Sequence, residues 1–333
     1  MNRRWRVLPV VAAFLLAALC AAPVPAGAQA AKVRLGTSLS PPSSDVLTPY
    51  VAVERGFFGK HGLEVQVIAF RGGAINMKAL LAGEVDVSVI GATDAIVSAS
   101  KGAKVRLWMV PYPVVPFHLV ARRDAAPTLH ALVGKNLAVS GIGTISYHIP
   151  RIVLQRSGVD PEKVKYVAVG SPADRFKALL AGKVDATLVT NMEAAKLAQY
   201  PEIIDLVQVS KVVPEVPYEV GAAKEEYIEK NPETMHRLAK ALLEANRWIA
   251  ANRAGTVEVA AKVLKEEAPE VLGRAYDLAD PRHWGVNGDI SEAAYNYTVE
   301  FLLKVGYLKD PVPFEKLFDR RFVDRALKDL GRL

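Results

Sequence analysis

Cysteine is almost absent from this chain of 333 residues, and its one copy is Cys20. A single cysteine excludes a framework of intrachain disulfides and any metal cluster built on several thiolates. Aromatic residues make up only 8% of the chain. The excess of basic over acidic residues is small, with a formal net charge of +7, and the basic residues form no continuous stripe. No nucleic-acid partner is therefore expected.

Several catalytic and nucleotide-binding motifs are missing as well. The chain contains no GxxxxGK(S/T), HExxH or GxSxG pattern, and its six histidines lack the spacing of metal ligands. Residues 141–146, GIGTIS, imitate the start of a dinucleotide fingerprint, but a serine replaces its third glycine. No well-placed acidic residue accompanies a convincing βαβ unit there, so neither a nucleotide nor a metal is expected.

The N-terminus has the three-part pattern of a secretory signal peptide. Three early arginines precede an apolar run over residues 7–22, and small residues follow it. A membrane anchor is the alternative, but the run has about 16 residues, whereas a span needs about 20. Lipid attachment at Cys20 is a further alternative, and the large residue before that cysteine disfavours it. We predict cleavage after Ala28 or Ala30, which leaves an exported mature chain without cysteine.

Beyond the signal peptide, strand-like and helix-like segments alternate. Residues 32–37 and 63–68 alternate apolar and polar side chains as strands do, and residues 48–58 between them have helical spacing. Such alternation is typical of a mostly parallel α/β sheet. The C-terminal third is helical in pattern, with the apolar residues of 235–249 on one face.

A nine-residue segment occurs twice. Residues 78–86 read KALLAGEVD and residues 177–185 read KALLAGKVD, so eight of nine positions are identical, 99 residues apart. In both copies a glycine ends a helical pattern and a short turn leads into an apolar strand. Chance is the alternative, because alanine and leucine are common in this chain. The spacing is too long for a short-period solenoid, so we predict two similar α/β lobes that each contain this unit.

Ligands of open α/β sheets bind beyond the carboxyl ends of the strands. Six loops lie at such ends, three in each half, and most are rich in Gly, Ser and Thr and precede a helix. Helix starts favour anions, although helix capping is the alternative role of these residues. For Arg71 a surface salt bridge is the alternative, and for Tyr147 it is core packing. We predict ligand contacts by Ser38, Arg71, Gly72, Gly73, Thr93, Gly143, Thr144, Ser146, Tyr147, Ser171, Thr190 and Asn191.

Short segments along nearly the whole mature chain resemble a known family. They are PYVA (49–52), ERGFF (54–58), GLEV (62–65), AGEVD (82–86), LVGK (132–135) and AGKVD (181–185). Together they resemble the substrate-binding proteins of ABC importers, in the branch that handles nitrate, taurine, alkanesulfonates and thiamine precursors. Residues 190–193, TNME, depart from the Trp-Glu-Pro-like segment of many members, which weakens assignment to one of these ligands.

The resemblance implies an α/β chain with the type II periplasmic-binding-protein fold, in which two lobes are joined by a two-crossing hinge with a ligand cleft between them. The lobes would close on the ligand by a hinge motion. The implied divisions are a removed signal peptide at 1–30, the first part of lobe I at 31–119, lobe II at 120–219, and a return to lobe I with the C-terminal helices at 220–333.

The function that the resemblance implies is that of a periplasmic solute-binding protein and not of an enzyme. It would capture a small molecule, expected to be anionic like a sulfonate or carboxylate, and deliver it to an ABC permease in the inner membrane. A monomer without cofactors is expected. Two alternatives stay open: a same-fold enzyme of cofactor-precursor metabolism, and a sensory partner that presents the ligand to a membrane receptor.

Overall fold

The computed structural model describes residues 30–214, 216–265, 267–289 and 291–333. The predicted signal peptide therefore lies outside the described residues, apart from residue 30. Within the described ranges, no helix combines the length and the apolar character that crossing a membrane requires.

The described residues form ten strands in two five-stranded sheets. The first sheet contains β1 (Ala31–Thr37), β2 (Leu63–Ala69), β3 (Val87–Gly91), β4 (Val105–Tyr112) and β10 (Glu219–Lys224). The second sheet contains β5 (Phe117–Arg122), β6 (Asn136–Val139), β7 (Lys165–Ala168), β8 (Ala186–Thr190) and β9 (Ile203–Gln208). Every residue of β3 and β8 is buried, as expected for central strands of a sheet covered on both faces.

Helices connect the strands and cover both sheets. Those before β10 are α1 (Thr48–Glu54), α2 (Phe57–Lys60), α3 (Gly73–Ala82), α4 (Ala92–Ser100), α5 (Ile145–Arg156), α6 (Pro172–Leu180) and α7 (Asn191–Ala194). Those after it are α8 (Glu225–Lys230), α9 (Pro232–Ala251), α10 (Arg253–Val263), α11 (Pro269–Leu278), α12 (Glu292–Lys304), α13 (Phe314–Leu317) and α14 (Arg321–Leu330). The apolar face predicted at 235–249 is fully buried in α9.

The two sheets share one strand arrangement. The first has the order β2-β1-β3-β10-β4 and the second the order β7-β6-β8-β5-β9. In each, the third parallel strand pairs with an antiparallel strand that has just crossed from the other sheet, β10 beside β3 and β5 beside β8. Residues 113–116 and 209–218 make the two crossings, and the predicted two-lobe α/β fold is confirmed. The divisions at residues 119 and 219 stay predictions, and the first of them falls inside β5.

The repeated segment occupies the same place in both lobes. Gly83 and Gly182 have φ angles of +77° and +67°, a conformation that glycine adopts without strain. The Asp86 carboxylate then accepts a hydrogen bond from the Arg34 N–H at 2.8 Å, and that of Asp185 accepts one from the Asn136 N–H at 2.9 Å. Each aspartate thus binds the adjacent parallel strand, and β3 and β8 begin two residues later than the apolar pattern predicts.

Candidate functional site

The loops that follow the parallel strands of the two sheets meet across a narrow cleft. Between them lies a cavity of about 30 Å³, here called the inner cavity. The first sheet contributes the loops after β1, β2 and β3 and the start of β10, and the second contributes the loops after β6 and β7 and the start of β5. The two lobes are therefore closed on each other around a small polar space.

The predicted ligand residues divide into two groups. Five of them line the inner cavity: Ser38, Gly72, Gly73, Ser146 and Ser171. Seven lie elsewhere: Arg71, Thr93, Gly143, Thr144, Tyr147, Thr190 and Asn191. Three charged residues that the sequence did not single out also line the cavity: Asp94, Arg175 and Glu219. Polar side chains at helix starts were predicted, and the charged groups that dominate the site were not.

Arg175 of α6 is a buried cation in the wall of the inner cavity, with 1% of its surface exposed. Its guanidinium donates hydrogen bonds to Thr187 Oγ1 at 3.2 Å, Gly170 O at 2.7 Å and Leu188 O at 3.1 Å. Burial lowers its pKa to about 10, so it keeps its charge at neutral pH. These bonds use three of its five N–H groups, and their acceptors are neutral. The two others can bind an anionic group.

Glu219 faces the inner cavity from the first position of β10 and is 2% exposed. Its Oε2 atom has no hydrogen-bond partner among the described residues. Burial, followed by the charge of Asp94, raises the pKa of Glu219 well above its ordinary value. A buried carboxyl oxygen without a partner costs free energy, and a ligand amine or other N–H group beside it would favour the ionised form of Glu219 and supply the missing hydrogen bond.

Asp94 of α4 reaches across the cleft to the other lobe. Its Oδ2 atom accepts a hydrogen bond at 3.3 Å from the N–H of Ile145, the first residue of α5. Gly73 and Gly91 make room for this carboxylate, because a Cβ atom at either position would lie within 3.0 Å of it. Burial raises the pKa of Asp94 to about 7. The α5 N-terminus, part of the predicted anion-binding loop, is thus bound by the protein's own carboxylate.

Three hydroxyl groups form a cluster just before and within the first turn of α5. Ser140 Oγ lies 2.9 Å from Thr144 Oγ1 and 2.7 Å from Ser146 Oγ, and the latter two are 3.0 Å apart. Thr144 Oγ1 also donates to Gly141 O at 2.7 Å. Ser140 and Ser146 line the inner cavity, whereas Thr144 supports them from behind. The cluster therefore presents two ordered hydroxyls to a ligand.

Arg71 and Thr190, two of the predicted ligand residues, make contacts between the lobes. Arg71 is 64% exposed at its side chain and pairs with Asp174 of α6, with 2.5 Å between Nη2 and Oδ2. The surface salt bridge is therefore what the structure shows at Arg71. Thr190 Oγ1 lies 3.2 Å from Ser43 Oγ of the other lobe and donates to Glu193 at 2.8 Å. The Arg71–Asp174 pair joins the lobes at the exposed rim of the cleft, and the Ser43–Thr190 contact joins them in its buried part.

Thr93 and Asn191, two further predicted ligand residues, are buried and do not line the inner cavity. Thr93 is 0% exposed and Asn191 is 1% exposed. Neither Thr93 Oγ1 nor Asn191 Nδ2 has a hydrogen-bond partner among the described residues. They stay predictions, since neither lines the space in which a ligand would lie.

Tyr147 belongs to an aromatic cluster between lobe II and the C-terminal helices. Its ring centroid lies 4.8 Å from that of Tyr166 and 5.4 Å from that of Tyr307, and Arg151 lies over its face at 5.0 Å. Gly143 packs against the same Tyr307 ring. Core packing therefore accounts for Tyr147 here, and it does not line the inner cavity.

His148, next to Tyr147, gives this cluster a pH dependence. It is fully buried, and burial lowers its pKa from 6.5 to about 3. The unfolded chain therefore binds a proton below pH 6.5 that the folded chain does not, so stability falls on acidification from that pH. We expect the His148→Phe variant to lose less stability than the wild type between pH 6.5 and pH 4.5, by up to about 3 kcal/mol.

Urea unfolding at these two pH values measures that difference. The His130→Phe variant, at an exposed position, controls for the loss of one imidazole from the unfolded chain. Equal changes in unfolding free energy for the wild type and His148→Phe would show that His148 contributes nothing to the acid sensitivity.

Comparison with protein-family models gives a match over residues 43–254 to the family described as NMT1/THI5 like. This chain is a member of the NMT1/THI5-like family. This assignment agrees with the resemblance found in the sequence, because the branch named there also handles thiamine precursors. YtlA of Bacillus subtilis (strain 168), named as a candidate binding protein, is a curated relative of this chain. It is 22% identical over 306 residues, which cover 84% of this chain and 86% of YtlA.

Two further comparisons concern proteins with named ligands. The taurine-binding periplasmic protein of Escherichia coli (strain K12) is 25% identical over 198 residues, 59% of this chain and 61% of that protein. The alkanesulfonate-binding protein SsuA from Xanthomonas axonopodis pv. citri bound to MOPS superposes with a TM-score of 0.72 at 18% identity, over 90% and 98% of the two chains.

A third structure extends the same fold to another named ligand. The periplasmic nitrate-binding protein NrtA from Synechocystis PCC 6803 superposes with a TM-score of 0.77 at 14% identity, over 91% of this chain and 90% of its own. At such identities the likeness concerns the fold alone. The NMT1/THI5-like family member therefore has the fold of periplasmic binding proteins, as its sequence predicts.

Proposed function

We propose that this protein is an extracytoplasmic solute-binding protein that captures a small molecule in the inner cavity and delivers it to an ABC importer. Curated relatives carry names of binding proteins, one of them a periplasmic protein, which supports a binding role without catalysis.

The observation that carries this proposal is the incomplete bonding of the buried charges around the inner cavity. Arg175 has two N–H groups to spare, and Glu219 Oε2 has no donor among the described residues. A ligand that completes both sets of bonds would replace the water lost when the lobes close. Selection for such a ligand explains why two ionisable groups, each costly to bury in its charged form, are kept in the interior.

The same bonding defines the chemistry of the ligand. An acidic group, such as a carboxylate or sulfonate, would bind Arg175 and the hydroxyls of Ser140 and Ser146. An amine or another N–H donor would bind Glu219. We therefore propose a small molecule that carries both, which refines the expectation of a simple anion. The inner cavity of about 30 Å³ limits this polar part of the ligand to a few atoms.

A thermal-shift screen on refolded mature protein, freed of any ligand carried through purification, tests the proposal. The panel contains simple anions, simple amines and molecules that combine the two groups. A ligand at about 100 times its dissociation constant adds about 2.7 kcal/mol to the free energy of unfolding. We expect the combined molecules to give the largest shift. No shift from any compound would contradict the solute-binding role.

Glu219 gives a specific check on the amine half of the ligand. We expect the Glu219→Gln variant to bind the simple anion of the panel as the wild type does. Its affinity for the molecule that carries both groups should fall at least about 10-fold, because one charge-assisted hydrogen bond is lost. Calorimetric titration of both ligands measures this ratio. Equal losses for the two ligands would mean that Glu219 acts on the fold and not on the amine.

A further inference from the structure

A second cavity of about 250 Å³ lies beside the inner cavity, and we call it the outer chamber. It is partly open to solvent and is bounded by the loop after β1, by α6 and α7, and by the end of α10. Its apolar walls include Leu39, Pro172, Phe176, Leu180, Met192 and Leu264. Both lobes contribute, so the chamber forms only when the cleft closes.

The outer chamber adjoins the inner cavity across a shared apolar wall. Leu39 and Pro172 line both spaces, one from each lobe. Leu39 is 6% exposed and Pro172 opens α6, two residues beyond Gly170, which accepts a hydrogen bond from Arg175. A group bound at Arg175 is therefore separated from the chamber only by these two apolar side chains.

The walls of the chamber are suited to an apolar group. Phe176 packs edge-to-face against Tyr200, with 5.5 Å between ring centroids, which leaves one wall rigid and aromatic. The charged residues at the margin include Lys196 and Glu267, which pair with each other between the lobes. That pair is satisfied within the protein, and Lys177 at the margin is exposed to solvent, so the apolar walls offer burial to an uncharged group.

We propose that the ligand carries an apolar arm, an aromatic ring or a short chain, that passes between Leu39 and Pro172 into the outer chamber. This inference rests on the proposed function, because the inner cavity must hold the polar head of the same molecule. A closed apolar cavity of about 150 Å³ is enough for benzene, so a chamber of about 250 Å³ has room for a ring with a substituent.

Ligand pairs that differ only in the arm test the inference. Suitable pairs are glycine with phenylalanine, taurine with a derivative that carries the phenyl group on carbon, and acetate with phenylacetate. In each pair the polar head is shared, and the second member adds a ring. We expect the ring-bearing member to bind refolded wild-type protein about 10- to 100-fold more tightly in calorimetric titration, the effect of burying one ring.

A matched pair of variants locates the effect in the chamber. Ala173 lines the chamber in the first turn of α6, and Ala74 is exposed 99 residues earlier, at the equivalent place in α3. We expect Ala173→Trp to fill the chamber and abolish the preference for the ring-bearing member while the smaller member binds as before. Ala74→Trp should leave both affinities unchanged.

The outcomes separate the two proposals. Equal affinities within every pair that binds would overturn the outer chamber and leave the proposed function standing. If no pair binds, a xenon-pressurised crystal of the wild-type protein decides. Xenon in the chamber would support an apolar subsite there, although the proposed binding of a polar head in the inner cavity would then be wrong. Absence of xenon from the chamber would overturn the inference.

Discussion

Replacement of Arg175 by methionine is expected to abolish ligand binding, with a loss of at least about 100-fold in affinity. The guanidinium has two N–H groups for an acidic ligand, and each hydrogen bond to a charged group contributes about 1.5–3 kcal/mol. Calorimetric titration with the best compound of the thermal-shift screen measures the loss. Binding of the Arg175→Met variant with wild-type affinity would remove Arg175 from the site.

Two variants make the Arg175 result interpretable. Arg175→Met removes the guanidinium hydrogen bonds to Gly170 O and Leu188 O, so the variant also loses stability and its fold must be checked by circular dichroism. Arg175→Lys keeps the charge and should retain part of the affinity. Arg71→Met is the matched control, because this exposed arginine pairs with Asp174 at the surface, and such pairs contribute about 0–1 kcal/mol. We expect it to change the affinity less than 5-fold.

Replacement of Asp94 by asparagine is expected to stabilise the ligand-free protein at alkaline pH. Burial raises the pKa of Asp94 from 3.8 to about 7, so the folded chain holds a proton that the unfolded chain releases. The stability that proton binding by Asp94 gives to the folded chain is therefore fully present below pH 3.8 and is lost as pH rises through 7. The side-chain amide that replaces the carboxyl group cannot lose a proton, and its oxygen can still accept the bond from Ile145.

The expected gain follows from the width of that pH window. We compare the free energies of unfolding of the variant and the wild type. The difference, Asp94→Asn minus wild type, should be up to about 4 kcal/mol larger at pH 8 than near pH 4. Urea unfolding at pH 4 and pH 8 measures both differences. Asp310→Asn, at an exposed position, controls for the loss of one carboxylate from the unfolded chain. A difference between the wild type and Asp94→Asn that is constant with pH would contradict the assignment.

Much of the architecture could be predicted from the sequence because it depends on local patterns. The repeated KALLAG segment predicts two similar lobes, and the structure places its copies at the ends of α3 and α6. Glycine at the end of each copy and apolar residues after it are local signals. The strands begin later than predicted because Asp86 and Asp185 bind the neighbouring strand, an interaction between residues about 50 positions apart.

The charged residues of the inner cavity could not be predicted in the same way. Arg175 follows Ser-Pro-Ala-Asp at a helix start, a pattern typical of an exposed first turn. It is buried because its side chain turns back onto β8, where Thr187 and Leu188 accept its hydrogen bonds. Only the packing of α6 on the second sheet creates that position.

Glu219 and Asp94 were missed for related reasons. Glu219 is the first residue after the second crossing, and its place opposite Gly91 depends on the antiparallel pairing of β10 with β3. Asp94 resembles an ordinary acidic residue in the first turn of a helix. A signal was present in both cases: Glu219 directly precedes the apolar strand segment Val-Gly-Ala-Ala, and Asp94 follows a glycine-containing strand end.

The central claim is that one small molecule binds between the lobes, with an acidic group at Arg175 and an N–H group at Glu219. A crystal structure of the mature protein with the best compound of the screen tests it most directly. The proposal predicts that the acidic oxygens lie within hydrogen-bond distance of the Arg175 guanidinium and that a nitrogen lies as close to Glu219 Oε2. A ligand bound outside the cleft, or in it with neither contact, would contradict the claim.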